Sequence, residues 1–208
     1  LEAAPFLAGA GFIPSAPVVP LRGVTSTDAV DGLLDFVTLT SDGDLFVGLS
    51  LSGTGILHDV VLGTRGVLDM SLTTRSVEVE DGLVLDAELE LQGTASRTAY
   101  AYFSGEQTVS GTGDVVLSRA NAVNDGVVNN RVQLQSQRQG REVLTFAEDV
   151  DLVGDGLVTV SDSQDRIAVL GAARGVGADS LTLSYIDNGG ADLGVDTDNG
   201  AVRFGTYL

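Results

Sequence analysis

Between residues 83 and 91 the chain alternates without a break: Leu85, Ala87, Leu89 and Leu91 fall on one side, and Asp86, Glu88 and Glu90 on the other. A period of two is the repeat of an extended strand with one buried and one wetted face, and a helix cannot bury such a pattern. The same alternation recurs at Leu45/Val47/Leu49/Leu51, Val77/Val79, Val132/Leu134, Val158/Val160, Leu181/Leu183 and Val202/Phe204, and no window carries the spacing of an amphipathic helix. Turn dipeptides punctuate these runs at Asp42-Gly43, Asp81-Gly82, Asp125-Gly126, Asp155-Gly156, Asn188-Gly189 and Asn199-Gly200. Asn, Asp and Gly tolerate positive φ, so such pairs read as hairpin turns. The expected fold is all-β, with an antiparallel β-sandwich or jelly-roll-like body and an extended N-terminal arm.

The arm is marked by proline. Pro5, Pro14, Pro17 and Pro20 are all of the chain's prolines, and all lie in its first 20 residues. This divides the chain into a Pro-rich apolar arm, residues 1–23, and a β-rich globular domain, residues 24–208. The prolines forbid a helix and favour an extended run. The arm carries only Glu2 and Arg22 as charges, and it exposes Phe6, Leu7, Phe12, Ile13, Val18, Val19 and Leu21 unless something covers them. Burying one such side chain contributes about 1.5–3 kcal/mol before ordering costs, so the arm should pack. It either wraps its own domain as an edge strand or inserts into a neighbouring subunit as an added strand.

Composition excludes several chemistries. The 208 residues include 21 Asp, 8 Glu, 11 Arg, a single His, and neither Lys nor Cys, for a formal net charge of −18. Without lysine there is no Schiff base, phosphate-loop lysine or Lys–Asn isopeptide link; without cysteine there is no disulfide, thiolate nucleophile or Cys-ligated metal. An acidic protein repels phosphate backbones and anionic bilayers, so neither nucleic acid nor membrane is an expected partner. No hydrophobic run approaches the ~20 residues that span a bilayer. The first residue, Leu1, is not Met, which reads as a processed chain of extracellular, cell-surface or virion location. Aromatic residues make up 5% and Trp is absent, so a sugar-stacking platform is not expected.

Two acidic turns carry a metal reading. The stretch Thr27-Asp28-Ala29-Val30-Asp31-Gly32-Leu33-Leu34-Asp35 resembles the calcium loop of the FG-GAP and VCBS propeller repeats, in which acidic or amide residues precede a Gly and a further Asp follows three residues later. Asp187-Asn188-Gly189-Gly190-Ala191-Asp192 resembles it too, and also a single copy of the calcium-binding nonapeptide of secreted toxins. The resemblance covers under a tenth of the chain. It implies possible calcium ligands at Asp28, Asp31, Asp35, Asp187 and Asp192 in an adhesin-type binding module. Ala29 departs from the pattern at one ligand position, and hard cations want six to eight oxygens, so ordinary hairpin turns are the competing reading.

His58-Asp59 is the only adjacent pair that could serve nucleophilic catalysis through histidine, but no Gly-x-Ser-x-Gly elbow accompanies it and His58 lies in an alternating run. No enzymatic function is expected. Charge is unevenly spread: Arg119, Arg131, Arg138 and Arg141 face only Asp125 within residues 119–141, whereas residues 149–198 hold ten acids against Arg166 and Arg174. Such opposite windows serve either head-to-tail contacts between copies or a contact inside the fold. The functional expectation is a secreted structural subunit that polymerises with copies of itself into an extracellular filament or pilus-like fibre, joined by N-terminal donor-strand-type complementation. A viral capsid, decoration or tail subunit and a calcium-dependent adhesin module are the alternatives.

Overall fold

The computed structural model describes residues 19–21, 29–30, 33–35, 38–41 and 45–47, and residues 55–205 except 64, 71–75, 95–96, 120–129, 139, 177–179 and 197–199. The alternating runs do form strands, and one residue in two points inward. In Val77–Leu85, Val77, Val79, Leu83 and Leu85 are buried while Glu78, Glu80 and Asp81 face outward. The strands are short, and they fall on three faces visited in a fixed order.

Face 1 holds residues 55–58 and 77–80, then Tyr100–Ser104, Asn130–Gln135, Gly156–Val160, Ser180–Leu183 and Ala201–Phe204. Face 2 holds residues 60–62 and 83–85, then Gln107–Gly111, Val143–Phe146 and Arg166–Val169. Face 3 runs from Gly66–Asp69 through Leu89–Gly93, Val115–Arg119, Leu152–Gly154 and Ala172–Gly175 to Gly194–Asp196. The strand pairings on all three faces are parallel, and among the described residues the one antiparallel bridge is isolated, between Thr94 and Arg97.

The antiparallel sandwich or jelly roll expected from hairpin spacing is therefore incorrect: the chain is a parallel β-solenoid of about five turns. The physical source of the error is specific. Parallel sheets are usually covered by crossover helices on both sides and read as continuous apolar runs, whereas one-sided alternation is the mark of antiparallel strands. In a solenoid the coil itself is the crossover, so parallel strands keep one wet face. The turn dipeptides were read as reversals, yet Asp81-Gly82, Asp155-Gly156 and Asn188-Gly189 stand at corners, while Asp42-Gly43, Asp125-Gly126 and Asn199 lie outside the described residues. Asp81 (φ 58°) and Gly82 (φ 110°) lie inside one unbroken strand, bending it from face 1 to face 2, and Asp59 (φ 49°) does the same one turn earlier.

Stacking places like on like. Leu57, Val79, Phe103, Leu134 and Val160 are register partners in one inward column, so successive turns are 22, 24, 31 and 26 residues long. A second face-1 column runs Val77, Ala101, Val132, Val158 and Leu183. On face 2, Val60, Leu83, Val109, Phe146 and Val169 stack in the same way, and the Phe103 and Phe146 rings meet edge to face with centroids 6.2 Å apart. All these residues belong to one continuous core that runs through the coil.

Corner polarity is satisfied by side-chain amides, two of them buried. The fully buried Asn130 donates from Nδ2 to the carbonyls of Leu91 (2.9 Å) and Ser118 and accepts from the Ala99 N–H at 3.3 Å. Gln107 donates to the Val79 and Ser104 carbonyls, both at 3.0 Å, and accepts from the Gly82 N–H at 3.2 Å. Asn188 both donates to the Val169 carbonyl (2.7 Å) and accepts from its N–H (2.9 Å), so a side chain stands in for one rung of a strand ladder.

Part of the arm is seen within the coil. Val19–Leu21 pairs in parallel with Leu39–Ser41 on face 2 and forms the outermost strand of the larger sheet. Phe6, Leu7, Phe12, Ile13 and Val18 lie outside the described residues.

Candidate functional site

The acids proposed for calcium do not share a place in the fold. Asp28 and Asp31 lie outside the described residues, and Asp35 ends the Leu33–Asp35 strand that pairs with Ile56–His58 on face 1. Asp187 sits several turns away on face 2, where the adjacent Ile186 bridges Ile167 and the Asp187 N–H donates to the Ile167 carbonyl. One of its oxygens accepts from the Gly189 N–H at 2.9 Å, and the other from the Arg141 guanidinium at 2.5 Å. The Gly189 hydrogen bond and the Arg141 contact hold its carboxyl below the ordinary carboxylate range. Asp192 is exposed on the loop beyond. Among the described residues no three His, Asp or Glu side chains gather as a metal-holding group.

The arginine window separates into three locations. Arg131 projects from face 1, Arg138 and Arg141 stand on the corner loop after Asn130–Gln135, and Arg119 ends the Val115–Arg119 strand on face 3. Arg141 reaches Asp187, so the positive window and the acidic window do meet within one chain. Arg131 lies over the Tyr100 ring, 5.5 Å from its centroid, and Tyr100 stacks on Tyr102 at 5.4 Å. Register alone explains this cluster: Tyr100 is paired to Arg131 across neighbouring strands, and both point outward. Each ring spends a face on its neighbour, so the pair is a surface contact of the coil rather than an open stacking platform.

Histidine has a different partner from the one suggested by adjacency. His58 Nε2 lies 2.8 Å from Asp81 Oδ2, across one turn of the coil. Ser104 occupies the same outward column two strands away, about 9–10 Å at the usual inter-strand spacing, and its hydroxyl donates to Glu78 at 2.5 Å. A nucleophile, a base and an orienting acid are not brought together here.

Two features were not found by sequence reasoning. The first is a buried acid corner between faces 1 and 2. Asp165 has no exposed surface; its Oδ1 accepts from the Glu142 N–H at 2.9 Å, while its Oδ2 has no hydrogen-bond partner. Glu142 is itself buried and accepts from the Gln137 N–H at 2.9 Å. Burial pushes the Asp165 carboxyl above the ordinary range. Nothing in the sequence distinguishes these two acids from the other 27.

The second feature is the C-terminal end of the coil. Leu183 is 1% exposed and Ala173 is fully buried, but the residues stacked on them in the last layer, Phe204 and Val195, are 40% and 45% exposed. Val176, at the corner leaving Ala172–Gly175, is 48% exposed. These are the large exposed apolar side chains among the described residues, and they all belong to the last turns. Ala201–Phe204 and Gly194–Asp196 are the final strands of their sheets, so the edge offers backbone donors and acceptors alongside apolar surface.

No family model, curated protein or solved structure matches the chain. No helix is long and apolar enough to cross a membrane among the described residues. Among the described residues, the inner columns are most exposed at Val195 and Phe204, in the last described layer.

Proposed function

We propose that this protein is a non-catalytic structural subunit that associates with copies of itself, and that the C-terminal end of the solenoid is a contact surface. The observation that carries the reading is the exposure of Val195, stacked on the buried Ala173, and of Val176 at the adjoining corner, beside the last described strand of the smaller sheet. A solenoid contacts only its neighbours along the axis, so covering its end with another layer extends the rod without rearranging any turn. The rest of the surface favours spacing over adhesion between flanks: outward positions carry Glu78, Glu80, Gln133, Gln135 and Thr159, and the net charge is −18.

Sedimentation velocity over a wide concentration range tests this. The full chain is expected to move to larger species as concentration rises, and Val195→Arg combined with Val176→Arg to shift that transition to at least about tenfold higher concentration, the loss of an apolar anchor or two. A wild-type chain that stays monomeric throughout removes the proposal.

A further inference from the structure

Charge is missing from one side of the coil. Among the described residues, the outward positions of face 2 within residues 60–62, 83–85, 107–111 and 143–147 hold only Val, Ala, Ser, Thr and Gly, with Val61, Val84, Thr108, Ser110 and Thr145 among them. The outward positions of face 1 include Glu78, Glu80 and Arg131, and those of face 3 include Glu90, Arg174 and Asp196. We propose that the outer surface of face 2 docks a basic amphipathic helix of another protein, a contact independent of the self-association proposed above.

Shape is the first reason. Val61, Val84 and Ser110 are register partners in one outward column, and Thr108 and Thr145 are partners in the next. Their side chains are small, so a helix can lie close against the sheet. Across the strands, Asp81 and Asp86 bound the strip about 16 Å apart at ~3.3 Å per residue, and a helix with its side chains is about 10–12 Å wide. Along the axis, four strands span about 14 Å at ~4.8 Å per spacing, the length of about ten helical residues. Arg166, which opens the next strand of face 2, ends the uncharged strip.

Charge at the rims is the second. Asp59, Asp81 and Glu106 stand where the chain enters face 2, and Asp86, Glu148 and Asp149 where it leaves; all six are exposed. Asp81 meets His58, and the other five form no ion pair among the described residues. An uncharged strip between two acidic rims complements an apolar helical stripe flanked by Lys and Arg, whose long side chains reach past the strip to the carboxylates. A second copy laid on the same face would set acidic rim against acidic rim. An extended peptide would pair with a strand edge, not with the outward side chains of a sheet. The chain itself, with 11 Arg, no Lys and 29 acids, supplies no such helix among its described residues.

The test uses the full chain and a labelled synthetic peptide of about twelve residues, with Leu and Ala along one helical stripe and Lys on both flanks, beside a scrambled peptide of the same composition. By fluorescence anisotropy the striped peptide should bind at least about tenfold tighter than the scrambled one, and it should gain helical circular dichroism on binding. Thr108→Arg sets a cation on an exposed position in the middle of the strip and should weaken binding at least about tenfold. Glu106→Gln with Glu148→Gln removes one carboxylate from each rim and should weaken it roughly three- to tenfold and flatten its salt dependence. Glu80→Gln with Asp192→Asn removes the same charge elsewhere and should leave affinity within about twofold. Equal affinity for the two peptides overturns the docking site without any appeal to variants. Equal weakening by the two neutralising pairs also overturns it, since attraction to net charge would then suffice. If Thr108→Arg instead disperses wild-type assemblies in sedimentation, a second copy occupies face 2 and the helix proposal falls.

Discussion

Asn130 has no exposed surface, yet every polar atom of its amide is engaged, with strands of two different faces. Its Oδ1 also stands 2.1 Å from where a Cβ on Gly93 would lie, so amide and glycine are one fitted unit. Asn130→Ala would leave the Ala99 N–H and the Leu91 and Ser118 carbonyls unpaired in the interior, at a cost of about 2–4 kcal/mol; urea denaturation measures it, and a loss under about 1 kcal/mol would mean that water replaces the amide. Asp165 presents the opposite case, a buried acid with one idle oxygen. Burial raises its proton affinity; the Glu142 N–H lowers it, the Glu142 and Asp162 charges raise it, and Arg166 lowers it, with a net upward direction. The folded state thus holds this proton more tightly than the unfolded chain. Its contribution is complete below the unfolded value of about 3.9 and is lost as pH rises through the folded value. Asp165→Asn keeps the Oδ1 acceptor and removes the titration, so its stability relative to wild type should rise as pH climbs from acid toward neutrality. Two unfolding curves that stay a constant distance apart across that range would refute a buried, titrating Asp165.

At the scale of the element, the alternating pairs Val77/Val79, Val132/Leu134 and Val158/Val160 lie in the two inward columns of face 1, Leu183 and Phe204 continue the second of these columns, and Leu181 and Val202 stack on Gly156 in a third. Their existence and their inward sense were legible from period two alone. Their parallel pairing was not, because alternation describes one strand's two sides and is silent about the direction of its neighbour. The readable signal was the recurrence of these pairs every 21 to 31 residues, the length of one turn, which is the period that marks repeat folds. Corner residues sharpen the point. Gly154 (φ 119°) closes the Leu152–Gly154 strand with its backbone against the preceding turn, where an added Cβ would meet the Leu117 carbonyl oxygen at 2.0 Å. Gly154→Ala should therefore destabilise by roughly 3 kcal/mol or more through combined φ strain and collision, readable as a fall in thermal midpoint, whereas Gly140→Ala, at a φ of 127° with open space around it, should bear the strain alone and lose less. Equal losses at the two positions would show that close stacking of turns is not what selects Gly154.

For the whole molecule, the charge of −18 acts along an axis. The chain carries −18 in all while residues 1–23 hold only Glu2 and Arg22, so like-charged copies repel. Raising salt shortens the Debye length from about 30 Å at 0.01 M to about 8 Å at 0.15 M and weakens that repulsion. Assembly of the wild type is thus expected to strengthen with ionic strength, as sedimentation at a fixed protein concentration would reveal. Assembly that weakens with salt would instead require ion pairs across the contact.

The amino-acid order sufficed to establish extended strands and their inward side chains, and it marked bends at Asp81-Gly82 and Asp155-Gly156 without their sense, because each depends on neighbours a few residues away through pleat geometry or tolerance of positive φ. It also exposed the charge windows, though not that Arg141 would lie against Asp187, a pairing made by the stacking of turns. Strand direction, the idle oxygen of Asp165 and the exposed last layer at Val195 all depend on what lies about 4.8 Å along the axis, supplied by residues some twenty-five positions away. No local pattern encodes that distance; coiling does.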